Sequence, residues 1–293
     1  MREALKKLFV IARPISWLNT AYPFAAGYII SGGQLDLLFV VGTLYFLGPY
    51  NLLMYGINDV FDYESDIRNP RKGGIEGAVT AKSFHKTILV AAAITNMPFI
   101  IAMLLLGNPL SWLVLSIVLF FVVAYSIATL RFKERPVLDS VTSSIHFVGP
   151  LVYGLSLTHF SIQSLPFIIA FFLWGMASHA YGAVQDIIPD RAAKLASIAT
   201  VLGARHTVWF SFILYIVAII ITALQSPLAA IVALAGSVYP LNIAHFLRIT
   251  DKMSERARAG WRRFIWLNFF VGFVVTIVLI VQLSHFFYGN IIK

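Results

Sequence analysis

The chain has 293 residues, of which 59% are hydrophobic and only 12% charged, with a mean hydropathy of +0.82. An ordinary soluble domain carries about 25% charged residues, so the composition excludes a soluble globular protein and indicates a polytopic membrane protein. Cysteine is absent, which excludes disulfides, thiol nucleophiles and thiolate metal sites.

Runs of about 20 apolar residues, the length that crosses hydrocarbon, fall near 15–32, 37–57, 86–107, 110–130, 139–158, 163–185, 207–224, 227–247 and 263–285. They predict an all-α bundle of nine transmembrane helices, read as one domain over 1–293. Barrel strands would alternate polar and apolar residues, and these runs do not. The N-terminus carries Arg2, Lys6, Lys7 and Arg13 ahead of a span too long for a cleaved signal peptide. Every Lys and Arg except Lys293 lies in the N-terminus or in an even-to-odd connection. By the positive-inside rule the N-terminus is cytoplasmic and the C-terminus external in the cell membrane. The net charge of +9 is therefore a topology signal. Anionic lipid headgroups are expected partners of the cytoplasmic lysines, and nucleic acid is not expected.

Two acidic patterns interrupt the apolar chain. Asn58, Asp62 and Asp66 follow span two, in NDVFDYESD; Asp186 and Asp190 follow span six, in QDIIPD. In a helix, residues at i, i+4 and i+8 share a face, so each set forms a ladder at a helix end. Asn51 and Tyr55 lie on roughly the same face, deeper in the span. Carboxylates beside hydrocarbon are expensive and mark function by default. Hard oxygen donors suit Mg²⁺, which is usually held by one or two carboxylates plus substrate phosphates. The two ladders would together hold more than one divalent cation and a strongly anionic substrate. Asp59 and Glu64 point off the ladder and are expected to be solvated or to support it from behind.

The motifs N-x-x-x-D-x-x-x-D after span two and D-x-x-x-D after span six resemble those of the UbiA superfamily of intramembrane prenyltransferases, over essentially the whole chain. The resemblance implies that Asn58, Asp62, Asp66, Asp186 and Asp190 bind Mg²⁺ and the diphosphate of an isoprenoid donor, with the four aspartates catalytic. The second motif of that family continues D-R-x-x-G-x-x-T. Here it reads DRAAKLAS, so Lys194 stands where Gly is expected and Ser197 where Thr is. The stretches RPISWLNTAYPF, YGINDVFDYESDIRNPRKGGIEGAV, LRFKERPVLDSVTSS and FFLWGMASHAYGAVQD look like the bacterial lycopene elongase branch. That branch implies transfer of five-carbon units from dimethylallyl diphosphate to the ends of lycopene, in C50 carotenoid biosynthesis.

Such a reaction needs cations around the leaving diphosphate. Arg68, Lys72, Arg131 and Lys133 are the candidates, and Arg13 is similar to an arginine the family places near the site. A dry cavity must protect an allylic cation, and aromatic faces stabilise it. Tyr55, Phe61, Tyr125, Phe172, Trp174 and Tyr181 are candidate lining residues. Asp139 at the start of span five is a candidate base or a helix cap. His146 and His179 are expected in interhelical hydrogen bonds. An aromatic quinone precursor or a tetrapyrrole is the alternative acceptor. A transporter is the alternative outside enzymes, disfavoured because the charges gather at one face rather than mid-membrane.

Overall fold

The computed structural model describes residues 2–67 and 79–289. Two compact units divide the chain, Met1–Ser161 and Ile162–Lys293. The first contains α1 (Arg2–Ile11), α2 (Leu18–Ile30), α3 (Leu37–Leu47), α4 (Pro49–Phe61), α5 (Tyr63–Asp66), α6 (His85–Leu106), α7 (Pro109–Ser126) and α8 (Leu138–Ser156). The second contains α9 (Leu165–Val184), α10 (Ile187–Ala192), α11 (Ile198–Ala223), α12 (Pro227–Gly236), α13 (Val238–Ala244) and α14 (Arg258–Gly289). No strand occurs among the described residues, as the sequence predicts.

Seven helical stretches among the described residues are long and apolar enough to span a bilayer. They are Leu37–Phe61, Lys82–Leu106, Pro109–Ser126, Ile162–Val184, Ile198–Ala223, Pro227–Ala244 and Asp251–Ser284. They coincide with seven of the nine expected spans. Helices α2 and α8 stand at the other two positions. The first has only 13 residues, and the second carries Asp139, Ser140, Thr142, Ser144 and His146, all buried.

Span two is broken, and the break shows how this chain handles backbone polarity. Pro49 begins α4, a position where its missing N–H is harmless. Carbonyls around such a break must find protein donors, because lipid offers none. Asn51 Nδ2 donates to the Phe46 carbonyl at 2.8 Å and to Thr20 Oγ1 at 2.8 Å. Thr20 Oγ1 donates to the Phe46 carbonyl at 2.7 Å, and Asn96 Nδ2 to the Pro49 carbonyl at 2.8 Å. Asn51 therefore serves the helix break.

Helices α2 and α8 cross closely. A Cβ on Gly154 would come within 2.5 Å of the Phe24 carbonyl oxygen, and one on Gly27 within 2.6 Å of that of Leu151. Without hydrophobic driving force between helices in lipid, small residues permit this approach and gain packing energy. Beside the crossing, buried Phe24, Tyr28, Tyr45, Phe46, Tyr50 and Tyr153 form an aromatic core. In the second unit Tyr181, Tyr215 and Tyr239 are buried, with Trp174 and Trp261 packed against them. Tyr215 stacks on Tyr239 with centroids 5.5 Å apart.

Candidate active site

The first acidic motif lies at the end of α4. That helix closes at Asp62, its C-cap, and α5 resumes at Tyr63. The i→i+4 hydrogen bonds nevertheless run through: Asp62 N–H donates to the Asn58 carbonyl at 2.9 Å and Asp66 N–H to the Asp62 carbonyl at 2.8 Å. The expected ladder is thus preserved in the backbone. Asp62 and Asp66 are buried, 9% and 8% exposed, so their charges need partners. Lys133 Nζ forms an ion pair with Asp62. Ser126 Oγ donates to Asn58 Oδ1 at 3.1 Å and turns that amide.

The other cations expected at this motif have varied fates. Arg131, in left-handed backbone (φ 40°), pairs with Glu134 and reaches the Phe61 carbonyl at 3.5 Å. Arg13 Nη2 donates to Asp59 Oδ1 at 2.7 Å, and its guanidinium lies 4.2 Å from the Tyr55 ring centroid. The Asp59 side chain is fully buried and is not solvated; Glu64, paired with Lys82, is exposed. Arg68 and Lys72 lie outside the described residues.

On α8, Asp139 is fully buried and its Oδ1 accepts the Ser140 N–H at 2.7 Å. Val137 occupies the N-cap position and makes no side-chain capping bond, while Asp139 stands inside the first turn, not at the cap position, and accepts from that turn's own Ser140 N–H. His146 approaches the Phe121 carbonyl on α7 at 3.3 Å and meets the Tyr125 ring edge-on at 5.2 Å. That contact is the interhelical role expected of it. Tyr125 is thereby placed against α8.

In the second unit Asp186 precedes α10, and Asp190 N–H donates to the Asp186 carbonyl at 2.9 Å, so this ladder also keeps helical spacing. Both carboxylates are half-buried. Lys194, in the place of the family glycine, adopts φ +58°. Leu195 N–H donates to the Asp190 carbonyl at 2.8 Å and Lys194 N–H to that of Arg191 at 3.1 Å. This is a Schellman ending, whose left-handed residue is ordinarily Gly. Ser197, in the place of Thr, caps α11 in a reciprocal pair with Thr200. Lys194 and Ser197 thus supply this loop with a left-handed residue and a capping oxygen. Trp174 and Tyr181, expected to line a cavity, pack within the core of the unit: Trp174 stacks on Phe264 at 5.8 Å and the Tyr181 hydroxyl donates to the Ala257 carbonyl at 2.9 Å.

Among the described residues no three His, Asp or Glu side chains gather into a metal centre. The donor set is nonetheless all oxygen and spaced one turn apart. That fits Mg²⁺, which takes few protein ligands and completes its shell with water and phosphate. Ser126 carries no sequence signal that would have marked it, whereas helical spacing placed Asp59 off the ladder without deciding whether protein or solvent receives it. For Arg191 the one available signal is its place beside Asp190 in the D-R pair.

Buried and half-buried carboxylates thus stand at the ends of helices long and apolar enough to span a bilayer. Residues 20–269 match the model of the UbiA prenyltransferase family, and the chain belongs to that family. A lycopene elongase/hydratase of Corynebacterium glutamicum is 50% identical over 285 residues, covering 96% of this chain and 98% of that one. One of Halobacterium salinarum is 32% identical, covering 92% and 95%. The fold is also that of a UbiA homologue from Archaeoglobus fulgidus, solved with DMAPP and Mg²⁺, at TM-score 0.66 and 19% identity over 90% of this chain and 98% of that one. The chain is thus a membrane prenyltransferase of carotenoid biosynthesis.

Proposed function

We propose that this prenyltransferase takes the five-carbon group of dimethylallyl diphosphate and, with Mg²⁺, adds it to each end of lycopene. The observation that carries this reading is the 50% identity, over nearly the full length of both chains, to a lycopene elongase/hydratase. The A. fulgidus homologue with DMAPP and Mg²⁺ supports the donor and the metal. Because the family model runs across both units, we read the two as one catalytic domain.

Asn58, Asp62, Asp66, Asp186 and Asp190 would hold Mg²⁺ through their side-chain oxygens. When bound, Mg²⁺ neutralises charge building on the leaving diphosphate. Lys133, already against Asp62, and Arg131 supply fixed positive charge beside it, and Arg68 and Lys72 are further candidates by their place in the sequence. Arg13 acts from behind: paired to Asp59, it holds Tyr55 by a cation–π contact. The allylic C–O bond breaks, and the terminal alkene of lycopene attacks the cation. Positive charge then resides on a tertiary acceptor carbon. The hydratase in the relatives' names supports its capture by water, with one proton lost and a hydroxyl gained. The positive-inside distribution of Lys and Arg supports placing the motifs on the cytoplasmic side.

Membranes bearing the protein, given lycopene, labelled dimethylallyl diphosphate and Mg²⁺, should yield labelled carotenoids longer by one and two five-carbon units. A chelator should stop the reaction. Label appearing in another lipid, with none in longer carotenoids, would reject the lycopene assignment.

A further inference from the structure

Helix α10 carries Asp190 and follows Asp186, yet it has only six residues. A helix so short does not hold itself together in isolation. Its buried anchor is Ile187, 1% exposed. A second anchor comes from a break in α11. Gly203 there has φ 77° and ψ 164°, a conformation essentially confined to glycine. In an unbroken helix, the Ala204 N–H would donate to the Thr200 carbonyl four residues earlier. Both groups instead have side-chain partners. Arg191 Nε and Nη2 donate to the Thr200 carbonyl at 3.2 and 2.8 Å. The Ala204 N–H donates to Asp251 Oδ1 at 2.7 Å. Arg191 Nη1 then joins Asp251 Oδ2 at 2.6 Å. An ion pair is inserted, in effect, into a single opened helical hydrogen bond.

We infer that Arg191 and Asp251 are positioning residues, a clamp seated in the Gly203 break that fixes α10 and so sets the aim of Asp186 and Asp190. This rests on the proposal that those aspartates hold Mg²⁺. The guanidinium fork suits the task, since it reaches a carbonyl and a carboxylate at once where an ammonium presents a single point charge. Gly203 completes it: a Cβ there would stand 3.0 Å from Asp251 Oδ1. The pair is half-exposed, at 45% and 40% for the two side chains, so it contributes little to global stability. Its effect is local order next to the carboxylates.

The test uses full-length protein in lipid nanodiscs, with Arg191→Gln, Asp251→Asn, the double variant, and Arg191→Lys. Amide exchange across 186–204 is measured without metal or diphosphate, alongside the Mg²⁺ concentration giving half-maximal turnover and the melting temperature. Residues that orient metal ligands typically change metal affinity about 10–100-fold. Each single variant should therefore exchange faster and need on the order of 10-fold more Mg²⁺, with little change in melting temperature. The double variant should be no worse than either single, and Arg191→Lys should recover part of the loss. Unchanged exchange, or faster exchange with an unchanged Mg²⁺ requirement, would overturn the positioning role. Asp186→Asn, run in parallel, separates the two readings: full activity there removes the metal assignment, while the exchange data still judge the clamp.

Discussion

Lys194 holds a left-handed backbone at the end of α10, with φ +58°, and replacing it with glycine should stabilise the protein. For a residue with a Cβ that conformation costs roughly 1–2 kcal/mol. Glycine avoids the clash but loses more freedom on folding, a penalty of roughly 0.5–1 kcal/mol. The difference leaves a net gain of about 0–1.5 kcal/mol for Lys194→Gly, with its midpoint on the stabilising side. The exposed ammonium contributes little against this. Lys194→Ala keeps the strain and is the control: it removes the charge and gains nothing. Thermal unfolding in one detergent should rank glycine above both lysine and alanine, with alanine close to the parent. Glycine and alanine behaving alike would refute the strain account, because it would locate the effect in the side chain rather than in φ. Turnover should be unchanged by Lys194→Gly, since the Schellman bonds to Asp190 and Arg191 are formed by the backbone.

Asp62→Asn and Asp186→Asn should each nearly abolish prenyl transfer while the protein remains folded, as read by carotenoid product and by melting temperature; normal activity in either removes that residue from the site. Arg13→Ala leaves the fully buried Asp59 carboxylate without its guanidinium, and unpairing a buried ion pair costs about 3–5 kcal/mol. A melting temperature equal to the parent's would contradict the burial argument. Gly154→Ala forces a methyl to within 2.5 Å of the Phe24 carbonyl oxygen, and overpacking of this kind costs about 1–3 kcal/mol. An unaltered unfolding transition would mean that α2 and α8 are free to separate.

Some of the site was readable from the order of residues because its geometry is local. Asp62 lies one helical turn from Asn58 and from Asp66, and the hydrogen bonds that enforce this spacing are made within the same stretch of chain. The same holds for Asp186 and Asp190. At 194 and 197 the sequence departs from the family pattern, and the motif by itself does not say what those residues do; the structure has lysine as the left-handed residue and serine as the capping oxygen. Asp59 was harder: one residue from Asn58, it turns off the ladder, and helical geometry alone leaves open whether solvent or protein receives it. Trp174 and Tyr181 illustrate the same gap, since an aromatic ring suits a cavity wall or a packed core equally well.

Composition and periodicity by themselves determined that this chain is helical and lives in lipid, because hydrocarbon tolerates only backbones that satisfy their own hydrogen bonds. They also determined where carboxylates recur at each helix end. Only the tertiary structure decided which cation meets which acid. Arg13 finds Asp59 across 46 residues, and Arg191 finds Asp251 across 60. Long side chains can reach many acceptors, and the choice among them depends on how distant helices pack, which no local pattern encodes.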